Sequence, residues 1–266
     1  AAEVGIAVPE VIDPDALRDE TTRVVVKARM HARPELTGSP ARIDTNMVTG
    51  RTAVRRRVAE IRAVGGEPQV QAFHDGTLIA YCAVRGHQGA PVAESLQQAS
   101  RIWPPHAGAS CRAVTLAMDE DLARRAGALL SALNWFGLAE LQFLVGTDGV
   151  PRLIDLNGRF YGSLALAVAA GANLPAIWAQ LAVGNPMPTP VRARPGVRYQ
   201  WGTADLRRAV RERRGGLLPD LTTTLAYAIG ATHSVAQLRD PRPALSRLTR
   251  TVHNRLRRTT PAASGG

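Results

Sequence analysis

Cysteine, lysine and aromatic residues are all scarce in this 266-residue chain. Its two cysteines, Cys82 and Cys111, cannot build a disulfide framework or a zinc cluster, which removes both of those scaffold classes. Phe, Trp and Tyr make up only 5 %, and no aromatic–basic interleaving runs through residues 191–266, which argues against nucleic-acid binding. Charge is missing altogether from residues 160–191. Within that stretch Leu164–Val183 matches the roughly 20 residues that a membrane span requires. Asn173, Gln180 and the break at Gly171–Pro175 instead predict two buried helices with a turn between them, and no membrane span. Apolar residues at 45 % and charged residues at 21 % exclude wholesale disorder.

Arginine, by contrast, is abundant. The chain has 32 Arg and a single lysine, Lys27. A lone compact ammonium in such a background marks a position where a planar guanidinium would not serve, with compositional chance as the competing explanation. Residues 191–266 hold 15 basic and 4 acidic side chains, whereas residues 1–190 hold 18 of each. The excess charge therefore belongs to the C-terminal segment. The opening Ala1-Ala2-Glu3 has neither Met nor a basic-then-apolar leader pattern and reads as an internal cut.

Local patterns place the elements. Asp13-Pro14 has the cap-then-proline form that predicts a short helix. The β-branched run Arg23–Lys27 predicts a strand ending at Lys27. Residues 29–50, rich in Gly, Pro, Thr and Asn, predict a long and functional loop with room for a short strand. Val54, Val58, Ile61 and Val64 fall at helical spacing within Thr52–Val64, which Gly65-Gly66 closes. Gln69–Phe73, Thr77–Val84 and Pro91–Trp103 alternate as strands. Asp119, Glu120 and Asp121 open a helix carrying an apolar stripe from Leu122 to Leu133. Residues 138–157 read as a hairpin, and Pro-rich residues after 187 lead into Arg-rich helical segments and a Gly/Ser tail. No internal repeat is present.

The hairpin carries the chemistry. Asp148-Gly149 is a favoured two-residue turn, and if it forms, opposed residues have numbers that sum to 297. Gln142 then faces Asp155 and Glu140 faces Asn157, all four on one side of the ladder. The other side carries Ala139, Leu141, Phe143 and Val145 opposite Ile154 and Leu156. Two carboxylates and two amides form an oxygen-rich cluster suited to Mg²⁺. No His or Cys sits among them, which argues against zinc. Arg159, two residues on, is placed to reach an anion held by the same metal. A solvated sheet face is the plainer alternative.

Leu141–Val145, Leu153–Arg159 and the small-residue stretch Ala167–Gly184, ending Gln180-Leu181-Ala182-Val183-Gly184, resemble the ATP-grasp fold. The nearest pattern is that of the carbamoyl-phosphate synthase large chain and related carboxylate–amine ligases, and the resemblance spans roughly residues 5–190. It implies an α+β architecture in which two subdomains grip ATP, with an antiparallel sheet in the larger. By that analogy residues 1–21 are a linker after a missing N-terminal subdomain, and residues 22–74 are the small ATP-grasp subdomain. Residues 75–190 are then the large subdomain with the metal-binding hairpin, and residues 191–266 a basic, mostly helical extension. Gln142, Asp155 and Asn157 would hold Mg²⁺, with Mn²⁺ as an alternative, between the nucleotide phosphates, and Arg159 would steady the transferred phosphoryl group. Lys27 would contact the phosphates. Gln71, Ala72 and Phe73 fall on the hinge strand that offers backbone groups to adenine. Pro105-His106-Ala107-Gly108-Ala109-Ser110 resembles the His-x-Gly-x-Ser turn near the phosphates, which makes His106, Gly108 and Ser110 candidates.

The departures from the family pattern are specific. Asp155 stands for the usual Glu, Gly158 for Pro and Ala72 for the hinge Glu, and the covering loop Ala32–Gly50 has only Gly38 and Gly50. Gly158 is expected to loosen the turn that aims Arg159. The implied activity is that of a cytoplasmic ligase acting on small carboxylate and amine substrates, as a monomer or homo-oligomer. The alternative is a degenerate, non-catalytic nucleotide module whose basic tail docks an acidic partner or nucleic acid. Basic helices such as Leu206–Arg214 are expected to be solvated. Trp201, Leu206, Leu217, Leu218 and Leu225 are expected to form an apolar cap on a separable body.

Overall fold

The computed structural model describes residues 1–29, 43–87, 89–105, 108–186 and 189–234, together with Arg242 and Ser246. The valine-rich segment forms β1 (Arg23–Ala28), paired antiparallel with β2 (Asn46–Thr49) on one side and β3 (Pro68–Ala72) on the other. Val24, Val26 and Ala28 point inward onto α1 (Arg51–Ala63), where Val54, Val58 and Ile61 complete a small core. Alternate positions on β1, including Lys27, face away from that core.

A second, eight-stranded sheet is built from β4 (Thr77–Arg85), β5 (Ala93–Trp103), β6 (Ala109–Leu116), β7 (Gly137–Val145), β8 (Pro151–Asn157) and three short later strands. Its order is β11-β10-β6-β5-β4-β7-β8, with β9 (Val191–Arg192) beside β5, and β10 (Arg198–Gln200) and β11 (Thr232–His233) at one edge. α2 (Glu120–Ala132) covers one face, its first turn capped by the Asp119 carboxylate accepting from the Asp121 and Leu122 amides. Ala139, Leu141 and Phe143 enter that core with Tyr81, Leu96 and Leu130. α3 (Leu164–Ala169) and α4 (Leu174–Ala182) cover the other face, where Leu138 packs with Cys82, Val84 and Leu174. The uncharged stretch is thus two short helices, separated at Gly171 where φ is 99°. No helix among the described residues is long and apolar enough to cross a membrane.

The hairpin differs from expectation near its turn. Val145 pairs with Pro151 and Phe143 with Leu153, so numbers there sum to 296, around a turn closed by Gly149 N–H donating to the Gly146 carbonyl. A bulge then places Ile154 without a partner on β7, and beyond it Gln142 faces Asp155 and Glu140 faces Asn157. The expected pairing holds at the polar cluster because the bulge shifts the register by one. It also puts Leu153, not Ile154, on the core side with Leu156.

Asp13-Pro14 forms an isolated turn instead of a helix, because only the Asp13 carbonyl and side chain are bonded onward, to Ala16 and Asp15. Residues 7–12 instead strap the two sheets together. Ala7 bridges Arg152 on β8, and its carbonyl accepts from Leu153 N–H. Ile12 N–H donates to the Val70 carbonyl, and Ala72 N–H donates to the Glu10 carbonyl.

The segment after residue 190 is woven into the large sheet. Besides α5 (Gly202–Glu212) and α6 (Leu217–Ala228), it supplies β9, β10 and β11. The expected leucine cap is absent: Leu206, Leu217, Leu218 and Leu225 are exposed, and only Trp201 packs on a buried cluster. The attachment is polar. Arg208 is fully buried and is held by Asp205 at 2.8 Å and by both oxygens of Asp220 at 3.0 and 2.7 Å. Asp205 also accepts from Arg112 of β6 at 2.6 Å. A helix expected to be solvated therefore hides an ion network, which pairs every buried charge it contains.

Candidate nucleotide and metal site

Four polar side chains on the β7–β8 hairpin form one hydrogen-bonded cluster. Glu140 Oε2 is the hub, accepting from Gln142 Nε2 at 3.0 Å and from Asn157 Nδ2 at 2.9 Å. Asn157 Nδ2 also lies 3.2 Å from Asp155 Oδ2, which brings the second carboxylate into the group. Both amides are thus held by their nitrogens. No hydrogen bond to either amide oxygen is present among the described residues, so those oxygens are left as acceptors for a cation. Two carboxylates and two amide oxygens suit Mg²⁺, which takes its remaining ligands from water and phosphate.

Burial sets the electrostatics. Glu140 is only 3 % exposed, and desolvation pushes its carboxyl up to about 7, against the pull of the Gln142 and Asn157 hydrogen bonds. A nearby cation would reverse that shift by favouring the ionised form. Glu140 belongs to the polar face read from the sequence, but its central position was not anticipated. Its pairing with Asn157 was the available signal.

Lys27 reaches this cluster from the small sheet. Its Nζ donates to the Ile154 carbonyl at 3.0 Å, next to Asp155 in the chain. Burial lowers the lysine's pKa, and the Asp155 charge opposes that change. Arg159 is exposed just past β8, where its guanidinium donates to the Phe160 carbonyl and its charge favours ionised Glu140. Gly158 also has a packing reason to be glycine. A Cβ there would overlap the Trp135 ring, so the aromatic occupies the space that a proline would need.

The remaining candidates are not brought together in the same way. Gln71 and Ala72 lie on β3, whose outer backbone groups at Val70 and Ala72 already bond to Ile12 and Glu10. The Ala72 N–H is thus already engaged within the chain. Phe73 follows the strand and carries Arg23 over its ring at 4.6 Å. Gly108 and Ser110 stand at the start of β6, separated from β7 by two strands, β5 and β4. A Cβ on Gly108 would collide with the Trp103 and Pro104 backbone, which explains the glycine by packing alone. His106 lies outside the described residues, as does most of the loop before β2.

A three-stranded antiparallel sheet joined to a larger, mostly antiparallel one is the ATP-grasp fold, which this chain shares. Residues 104–204 match the model of a family described as ATP-grasp in the biosynthetic pathway with Ter operon. Among solved structures, a Rhizobium etli pyruvate carboxylase is similar at TM-score 0.56 and 14 % identity, over 74 % of this chain and 19 % of that one. A Campylobacter jejuni biotin carboxylase, in a complex named for a β,γ-ATP, is similar at TM-score 0.54 and 16 % identity over 74 % of this chain. The biotin carboxylase domain of a Hydrogenobacter thermophilus 2-oxoglutarate carboxylase, in complex with MgADP, ADP and bicarbonate, is similar at 0.53 and 12 % identity, again over 74 % of this chain. The chain spans about half the length of these last two, 47 % and 46 %. No protein of curated function matches the sequence.

Proposed function

We propose that this chain is the nucleotide-gripping part of an ATP-dependent ligase that activates a carboxylate as an acylphosphate for attack by an amine or similar nucleophile. The observation that carries this reading is the junction of Lys27 with the hairpin, where a cation from one sheet meets an oxygen cluster on the other. ATP then lies between the sheets. Lys27 holds phosphate oxygens as a compact charge. Glu140, Gln142, Asp155 and Asn157 would hold Mg²⁺ or Mn²⁺, which when bound neutralises phosphate charge. Arg159 meets the transferred phosphoryl group, and adenine takes the edge past β3 at Phe73. The protein's contribution is positioning and charge neutralisation, as in phosphoryl transfer generally. Glu140 pre-organises the site by turning both amide oxygens outward. The free, buried thiols of Cys82 and Cys111 suit a reducing, cytoplasmic setting.

The test supplies Mg-ATP, hydroxylamine as nucleophile and a panel of small carboxylates. Carboxylate-dependent release of ADP with hydroxamate formation is the expected result. ATP binding without any carboxylate-dependent ADP release across the panel would contradict the ligase reading in favour of a binding module.

A further inference from the structure

A second charged site lies on the opposite face of the large sheet. A cleft of about 300 Å³ opens between the α2 helix and the β4–β5 connection, lined by Arg85, Gly89, Pro91, Arg124, Gly127 and Arg192 among others. α2 packs on the side of the sheet carrying Ala139 and Leu141, whereas Glu140 and Gln142 point to the other side. The cleft is therefore separate from the hairpin cluster.

Its charges are not equally satisfied. Arg192 is held by Glu94 at 2.9 Å and by Glu120 at 2.6 and 3.1 Å, and Glu94 also accepts from the Tyr81 hydroxyl at 2.7 Å. Arg124 pairs with Asp121 at 2.5 Å. Arg85 differs. It is only 8 % exposed, and its one hydrogen bond among the described residues runs from Nη1 to the Gly127 carbonyl at 2.9 Å. It makes no salt bridge among the described residues. Its other guanidinium nitrogens are not among the buried, unpartnered atoms of the described residues, so they open onto the cleft, where their planar fork matches an oxyanion.

The helix supports the same reading. Gly127 sits in the middle of α2, where glycine weakens a helix by roughly 0.5–1 kcal/mol relative to alanine. No close packing explains it, because a Cβ there would meet nothing within 4 Å. It lines the cleft, so a side chain at this position would occupy the space in front of Arg85. Its carbonyl accepts from Ser131 Oγ as well as from Arg85, which fixes the guanidinium against the helix.

We propose that this cleft is a binding site for a small oxyanion, a carboxylate or phosphate group seated on Arg85, on the face of the sheet away from the nucleotide. The test is calorimetric titration of the full chain with inorganic phosphate and, separately, with succinate, at ionic strength held constant with chloride. The two arms tell phosphate from carboxylate. Saturable binding of at least one probe is expected, weakened about thirtyfold or more in both Arg85→Gln and Gly127→Leu, and unchanged in Lys27→Met. Gly127→Leu leaves the guanidinium in place and fills the cleft, so it reports on the site even where Arg85→Gln fails to fold. Absence of binding to wild type, wild-type affinity in Gly127→Leu, or loss of binding in Lys27→Met would each overturn the proposal.

Discussion

Lys27 Nζ is hydrogen-bonded at 3.0 Å to the carbonyl of Ile154, the residue that a bulge leaves without a partner on the neighbouring strand. One irregularity therefore does two things. It sets Gln142 against Asp155 and Glu140 against Asn157, and it supplies the acceptor that draws the chain's single lysine across from the small sheet.

Lys27→Arg keeps the charge but spreads it over a plane, so it should weaken Mg-ATP binding by roughly tenfold or more, since a hydrogen bond to a charged group contributes about 1.5–3 kcal/mol. Calorimetry on both proteins checks this. Equal affinity would make the lone lysine a compositional accident.

Glu140 gives a pH dependence of definite sign. Its folded pKa of about 7 lies above its ordinary value of 4.5, so between these the folded state holds a proton that the unfolded chain has lost. Stability from this group is full below about 4.5 and falls as pH rises through 7, by at most about 3 kcal/mol. Urea unfolding without divalent metal at pH 5 and pH 8 should show the fall in wild type and not in Glu140→Gln. Parallel behaviour of the two proteins would remove Glu140 from the hub of the cluster.

Much of this was legible in the sequence, and the exceptions have physical causes. The valine run, the polar face of the hairpin and the α1 and α2 stripes follow from residue periodicity, which burial enforces, except that the last stripe positions, Val64 and Leu133, fall just past the helix ends and are exposed. The bulge does not, because Asp148-Gly149 suits a two-residue turn as well as the wider one that forms. β6 was missed because Arg112 is buried within it and breaks the apolar pattern. Its partner Asp205 lies 93 residues later in the chain. The same long-range pairing hid the attachment of α5 and α6, since arginines in a helix look solvated until their carboxylates are found.

Removing one partner of that network should be severe. Arg208→Ala is expected to cost about 3–5 kcal/mol, because Asp220 would remain buried without its cation and Asp205 would keep only the Arg112 cation. Leu218→Ser, at a position 73 % exposed, should change stability by no more than about 0.5 kcal/mol. Thermal and urea unfolding of both variants tests the contrast, and a reversed order would contradict a polar attachment.

Gly158→Pro, which restores the family pattern at that position, should lower the melting temperature because the ring would meet Trp135. The double variant Gly158→Pro/Trp135→Ala should recover part of the loss relative to Trp135→Ala alone. Strict additivity would show that the two positions do not share the space.

The most direct measurement is titration of the full chain with ATP, with and without Mg²⁺, in wild type and in Asp155→Asn. Asparagine keeps the shape of residue 155 and removes one carboxylate from the cluster, so circular dichroism should be unchanged. The account predicts Mg²⁺-dependent binding in wild type and a clear loss of that dependence in the variant. The same Mg²⁺-dependent affinity in both proteins would contradict a metal site on the hairpin.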